Sequence, residues 1–185
     1  KEAATLNLGA AQVALGDIYY VGAPGVPADL ATALAWYSQA AKQEQPGALY
    51  ALAVAYDTGE GVAADPDKAL GYYKNAALQG HAEAQAALAS YFYEGVAVAK
   101  DLPTARKWFE AAAKGGDADA MFNLGVMMMK GEGGAKDLTR AWVWLRIAEK
   151  GGVPQALAAR TVLETRMTPE EKTTAANLYA PPTQS

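Results

Sequence analysis

A chain of 185 residues with 51% hydrophobic and 19% charged residues can bury a core, and its composition argues against intrinsic disorder. A net charge of −4 offers no basic excess, which argues against nucleic-acid binding, and the absence of cysteine excludes disulfides, thiolate nucleophiles and cysteine zinc sites. No apolar run approaches the roughly 18 residues needed to span a bilayer. The charge is uneven along the chain. Residues 1–93 carry 4 Lys/Arg and 9 Asp/Glu, a balance of −5, whereas residues 94–185 carry 12 and 11, a balance of +1. A partner would meet different fields at the two ends.

In chain order the sequence repeats itself. Asp29, Asp65, Asp101 and Asp137 are 36 residues apart, and so are Ala33, Ala69, Ala105 and Ala141. Ala40, Ala76, Ala112 and Ala148 keep the same step, as do Trp36, Tyr72, Trp108 and Trp144. Leu52, Leu88 and Leu124 follow, with Tyr56, Phe92 and Met128 four residues later, and Gly80, Gly116 and Gly152 close three units. Columns held in phase over so many residues define four units at about 11–46, 47–80, 81–116 and 117–152, within one repeat domain spanning 1–185. The first unit has one extra residue, placed in the loop around Ala23-Pro24, because Leu15, Tyr19 and Gly22 sit 37 before Leu52, Tyr56 and Gly59.

Each unit reads as two helices. Ala48, Leu52, Ala55 and Tyr56 recur at helical spacing, and the helix stops at Gly59-Glu60-Gly61. Asp65 supplies an N-cap oxygen and Pro66 fits the first helical position of the second helix. That helix carries Ala69, Tyr72, Tyr73, Ala76 and Ala77 on one face and ends at Gly80. Trp36, Trp108 and Trp144 fall on the aromatic column and are expected in the core. Trp142 lies off it and is expected to be exposed, a candidate second contact surface. After Gly152 a fifth first-helix begins with Ala156 in phase with Ala120. Thr168-Pro169-Glu170-Glu171 then reads as a capping box opening a last helix to about Tyr179. Residues 153–180 form a cap, Pro181-Pro182 ends it, and 181–185 are a tail.

The pattern Leu52, Tyr56, Gly59, Gly61, Val62, Asp65 and Ala69, followed by Tyr72-Tyr73 and Ala76-Ala77, resembles the Sel1-like repeat family, a relative of the tetratricopeptide repeat. The resemblance covers about residues 11–152. Three positions depart from it: Ala97 replaces the second loop glycine of unit three, Gly134 replaces the valine of unit four, and Glu44 stands where unit one should close with glycine. The resemblance implies an all-α fold, a right-handed α/α superhelix (solenoid) of helical hairpins with a C-terminal capping helix. It also implies an adaptor or scaffold role. Family habit, together with a chain that starts at Lys1 rather than methionine, points to a bacterial periplasmic or secreted protein with an upstream segment removed, with the cytoplasm as the alternative.

In such a superhelix the first helices line the concave side. The face opposite Leu52 and Tyr56 lies at 50, 54 and 57. Carried through the units, this reading selects Asp17, Tyr20, Tyr50, Val54, Asp57, Ser90, Tyr93, Phe122, Met129 and Lys130 as the partner-binding groove. Tyrosine supplies large contact area with a polar tip. For Phe122 and Met129, packing between neighbouring first helices is an equally good reading. Catalytic chemistry is not indicated. The single histidine, His81, follows Gly80 and suits a turn, so no His-x-x-x-His metal pair exists. Gly131-Glu132-Gly133-Gly134-Ala135-Lys136 lacks the ending of a phosphate loop. Asp65-Pro66-Asp67 and Asp117-Ala118-Asp119 sit at helix starts, where carboxylates cap. We therefore expect no enzyme, no cofactor, no metal site and a monomer that binds a protein or peptide ligand. A cell-wall glycan (peptidoglycan or polysaccharide) binding module is the alternative, and a cryptic hydrolase is a remote third reading.

The register makes Leu88 a central core residue, so Leu88→Ala should cost about 2–5 kcal/mol. An unchanged thermal midpoint would refute the register.

Overall fold

The computed structural model describes residues 2–179, so the expected stop at Pro181-Pro182 and the tail at 181–185 lie outside the described residues. Among the described residues the chain forms ten helices and no strand. They are α1 (Glu2–Val21), α2 (Leu30–Ala41), α3 (Pro46–Thr58), α4 (Pro66–Leu78) and α5 (Ala82–Glu94). Then follow α6 (Leu102–Lys114), α7 (Ala118–Lys130), α8 (Leu138–Lys150), α9 (Ala156–Glu164) and α10 (Pro169–Tyr179). The contacts group into two compact units, up to Leu88 and from Ala89, divided within α5. In the first, α1 packs on α2, α2 on α3 and α3 on α4. In the second, α6 packs on α7, α7 on α8, and α8 on both α9 and α10.

The turn between the two helices of each repeat is held by one aspartate in two ways. Its carboxylate accepts the backbone N–H three residues on: Thr32 to Asp29 and Lys68 to Asp65 at 3.1 Å, Thr104 to Asp101 at 3.1 Å, Arg140 to Asp137 at 2.9 Å. Its own backbone N–H donates to the carbonyl of Tyr19, Tyr56, Phe92 or Met128 at 2.7–3.0 Å, tying the loop to the preceding helix. The side chain satisfies an otherwise orphaned helix donor, and the main chain closes the loop. These bonds hold three carboxyls below their ordinary range. The leading cause is the Thr32 hydroxyl for Asp29, the Lys68 backbone N–H for Asp65 and the Thr104 hydroxyl for Asp101.

The far end of each second helix closes by a left-handed turn. The N–H groups of Gln45, His81, Asp117 and Val153 reach back to the carbonyls of Ala40, Ala76, Ala112 and Ala148 at 3.1–3.3 Å. The turn residue has φ 86° at Gly80, 99° at Gly116 and 88° at Gly152. Glu44 takes the same turn with φ 54° in place of glycine, and Ala97 takes the left-handed loop position that Gly61 fills in the repeat before, with φ 52°. These departures from the repeat keep its geometry at a steric cost. Gly134 has a different reason. A Cβ there would sit 2.9 Å from Nη1 of Arg106, whose guanidinium donates to the carbonyls of Ala135 at 3.0 Å and Glu132 at 3.4 Å. The extra residue of the first repeat forms a Pro24-Gly25 turn closed by paired Ala23 and Val26 backbone bonds of 2.8 Å.

The alanine columns at 33, 69, 105 and 141, at 40, 76, 112 and 148, and at 48, 84, 120 and 156 are all fully buried. Small side chains there let helix backbones approach closely and leave the larger neighbours to fill the space. Leu88, Leu124, Leu145 and Leu163 are among the largest fully buried side chains. The aromatic column is placed differently from the sequence expectation. Trp36, Tyr72, Trp108 and Trp144 are only half-buried, and it is the next residue, Tyr37, Tyr73, Phe109 or Leu145, that is buried at 0–5% exposure. Both members of the pair lie about 50° from the line joining Ala33 and Ala40, on opposite sides. The second alanine, buried at Ala77 and Ala113, widens the buried arc towards the second member.

The cap also corrects an expectation. Trp142 is half-buried, and its indole N–H donates to Glu164 Oε1 at 2.7 Å. Tyr179 of α10 meets its ring edge-on with centroids 6.1 Å apart, and the Arg160 guanidinium lies 5.6 Å from the ring centre. Arg160 bonds Glu149 at 2.9 Å and also bonds Glu164, while Arg146 reaches Glu149 at 2.9 Å. Arg146 first, then Arg160, holds the Glu149 carboxyl below its ordinary range. Trp142 is thus a binding post for the capping helices and not an open contact surface. The expected capping box is present: the Thr168 N–H donates to Glu171 Oε2 at 2.8 Å and the Glu171 N–H to Thr168 Oγ1 at 3.2 Å.

Glu44→Gly and Ala97→Gly should each stabilise by about 0.5–1 kcal/mol, read as a raised urea midpoint, because relief of a left-handed Cβ outweighs the entropy of glycine. A lowered midpoint would show that no strain is stored there. Gly16→Ala should destabilise by about 1–3 kcal/mol, since its Cβ would meet Tyr37 Cε1 at 2.4 Å inside a packed core. Gly47→Ala, which meets only Val13 Cγ1 at 3.7 Å, should be neutral or stabilising in the same assay.

Candidate functional site

The first compact unit holds a cavity of about 450 Å³. Its apolar lining comes from α1 (Val13), α2 (Leu30, Leu34) and α3 (Ala51, Val54, Ala55). Tyr20, Tyr37 and Tyr50 supply aromatic surface, and Asp17, Glu60, His81 and Glu83 supply the polar groups. This volume falls in the range of small-ligand sites, and a mostly apolar lining with a few polar groups is their usual character.

The polar groups are held by the repeat. Tyr37, buried on α2, donates its hydroxyl to Asp17 Oδ1 on α1 at 2.7 Å. Burial, then the hydrogen bond to the Asp17 carboxylate, pushes the Tyr37 phenol far above its ordinary range. Tyr20, at the end of α1 and 46% exposed, donates to Glu60 Oε2 in the loop after α3 at 3.1 Å. That bond is the main reason its phenol is raised. Tyr50 on α3 stacks on His81 with centroids 4.7 Å apart and rings tilted by 23°, and Tyr73 lies 6.0 Å away. His81 Nδ1 accepts the Ala84 N–H at 3.4 Å and lies 3.2 Å from Glu83 Oε2, so the histidine occupies the turn that opens α5.

The second unit has a smaller cavity of about 160 Å³, lined by Ser90, Tyr93, Phe109, Asn123, Val126 and Met127, with Glu94 beside them. Tyr93 donates to Glu132 Oε2 at 3.0 Å, and the Lys100 ammonium lies 5.3 Å from its ring centre. Burial leads, and Glu132 follows, in raising the Tyr93 phenol. The Tyr93–Glu132 bond repeats the Tyr20–Glu60 bond two repeats further on, each linking the end of a first helix to the Gly-Glu-Gly loop of the next repeat.

Six of the ten sequence-derived groove residues line one or other of these two cavities. Asp17, Tyr20, Tyr50 and Val54 come together in the larger one, and Ser90 and Tyr93 in the smaller. Asp57 is exposed and accepts the Tyr73 hydroxyl at 3.1 Å. Phe122 is half-buried against Ala148, Val153 and Ala156. Met129 is half-buried, and Lys130 is exposed with its ammonium 3.6 Å from Glu132. Sequence reasoning missed Tyr37, Glu60, His81 and Glu83. Recurrence of Gly-Glu-Gly at 59–61 and 131–133 was the available signal for Glu60. Among the described residues no group of three or more His, Asp or Glu side chains is arranged to hold a metal ion, and no helix is long and apolar enough to cross a membrane.

Comparison with known proteins agrees with this architecture. The family model described as Sel1 repeat matches residues 9–44, 46–81, 82–117 and 118–153. A search of the curated proteins finds no match. Among solved structures, a Sel1 repeat protein from Oxalobacter formigenes is similar at 30% identity and a TM-score of 0.74, over 82% of this chain and 62% of its own. A protective antigen present in uropathogenic Escherichia coli strains, displaying an SLR fold, is similar at 27% identity and a TM-score of 0.82, over 92% of this chain and 37% of its own. The chain thus spans less than two thirds of either relative. Proteins of this repeat class are generally protein-interaction scaffolds, typically without catalysis. With four matched repeats, cap-and-turn geometry that recurs from repeat to repeat and neighbours of the same fold, this all-helical repeat chain belongs to the Sel1 repeat family.

Proposed function

We propose that the chain binds a polypeptide partner, with the cavity of the first unit as its anchoring site. The observation that carries this reading is the cavity's make-up. Three tyrosines and an apolar lining from three helices meet three carboxylates in about 450 Å³. Tyrosine anchors set in apolar pockets dominate protein interfaces, because they bring large area at low entropic cost. The family's scaffold role supports the same conclusion. A monomeric state is part of this proposal, as is a periplasmic or secreted location, the latter on family habit.

The test is affinity capture from a lysate of the source organism, with quantitative mass spectrometry of wild type against a folded Tyr20→Ala/Tyr50→Ala variant. A polypeptide held by wild type should bind the variant about thirty-fold more weakly if one of these side chains contributes about 2 kcal/mol. Equal recovery would place the contact elsewhere. Saturable binding of cell-wall fragments, with no polypeptide captured, would favour a glycan-binding module instead.

A further inference from the structure

From the larger cavity we infer that it takes the guanidinium of an arginine side chain presented by the partner, which deepens the polypeptide-binding reading above and rests on it. Three carboxylates, Asp17, Glu60 and Glu83, line this cavity, and among the described residues no lysine or arginine does. Residues 1–88 carry 4 Lys/Arg and 9 Asp/Glu, so the unit that holds the cavity has a balance of −5. One of those four cations, Lys68, is committed to Asp65 at 3.0 Å and to the face of Tyr56 at 5.1 Å. A cleft of one sign with low-dielectric walls concentrates the opposite charge.

The carboxylates keep capacity to accept. Asp17 uses Oδ1 for the Tyr37 hydroxyl and Glu60 uses Oε2 for the Tyr20 hydroxyl. An ionised carboxylate offers about four lone-pair sites, so each can still receive a ligand's N–H. The tyrosine donors also hold Asp17 and Glu60 in place before a ligand arrives, which lowers the entropic cost of binding, while Glu83 lies 3.2 Å from His81. Tyr20, 46% exposed at the cavity, adds aromatic surface on which a flat cation can stack. A guanidinium suits this combination better than an ammonium. It is planar, less strongly hydrated, and presents a fork of donors that matches a carboxylate while its face lies on a ring.

The test is a titration of the full chain, followed by amide proton–nitrogen spectra, with Nα-acetyl-arginine methylamide and its uncharged isostere Nα-acetyl-citrulline methylamide. Arginine should shift the signals of Asp17, Tyr50 and His81 saturably, and citrulline should bind at least about tenfold more weakly, the difference between charge-assisted and neutral hydrogen bonds. Glu60→Gln keeps an acceptor for Tyr20 and removes one charge, so it should narrow that ratio while the rest of the spectrum stays that of the folded protein. Equal binding of the two probes, no shift at these signals, or a ratio unchanged in both Glu60→Gln and Asp17→Asn would overturn the inference. The two proposals separate cleanly. A captured polypeptide with no arginine preference overturns the cation site alone. Arginine-selective shifts with no captured polypeptide keep the guanidinium preference of the cavity and overturn its assignment to a polypeptide partner.

Discussion

The aspartate that opens each second helix is held at both its side chain and its main chain, and the geometry of the hairpin depends on that double hold. The carboxylate caps one helix while the backbone N–H ties the loop to the carbonyl of the aromatic or methionine residue in the other. With the loop pinned at 29, 65, 101 and 137, the two helices of a hairpin meet in the same register every time. The fully buried alanines can then face each other at close approach. Where the repeat lacks its usual residue, the backbone still takes the required turn, as the left-handed conformations of Glu44 and Ala97 show. The tertiary demand for a tight turn outweighs the local cost of a Cβ there.

On this scaffold the polar groups of the candidate site are satisfied by repeat neighbours and not by chance contacts. Tyr37 and Tyr73 occupy equivalent buried positions, yet one donates to Asp17 and the other to Asp57, which are not equivalent in the repeat. The core position requires a phenol to find an acceptor, and the sequence supplies one from whichever residue of the first helix comes within reach. In the second unit the same column holds Phe109 and Leu145, which need no acceptor, and the cavity there is smaller. Two carboxylates of the first unit, Asp17 and Asp57, thus serve as acceptors for its buried tyrosines.

The C-terminal cap solves a different problem. A repeat array ends with an exposed apolar face that its own period would continue to present. Here α9 keeps the register through Ala156, then α10 folds onto α8, and a network of Trp142, Arg160, Glu149, Glu164 and Tyr179 joins the three helices. Charge-assisted bonds beside the aromatic ring, from a largely covered Arg160, join the ends of these helices.

The period of 36, the helix starts at aspartates, the stops at glycines and the capping box at Thr168 were legible in the sequence, because each depends on a residue's own backbone preference or on a bond three or four residues away. The alanine and leucine columns were legible for the same reason, since recurrence at helical spacing marks a buried face without reference to what covers it. Half of the aromatic pair was misplaced, although the second alanine of the motif carried the information. The site was legible only as a set of helix positions. Tyr20 and Glu60 are 40 residues apart, Tyr37 and Asp17 are 20 apart, and Tyr50 meets His81 across 31. Which carboxylate receives which phenol, that Phe122 packs against Ala148, Val153 and Ala156, and that Trp142 lies against the cap are matters of distance between helices. Only the tertiary structure decided them, because side chains with the same spacing along one helix become neighbours of different groups once a second helix is laid against it.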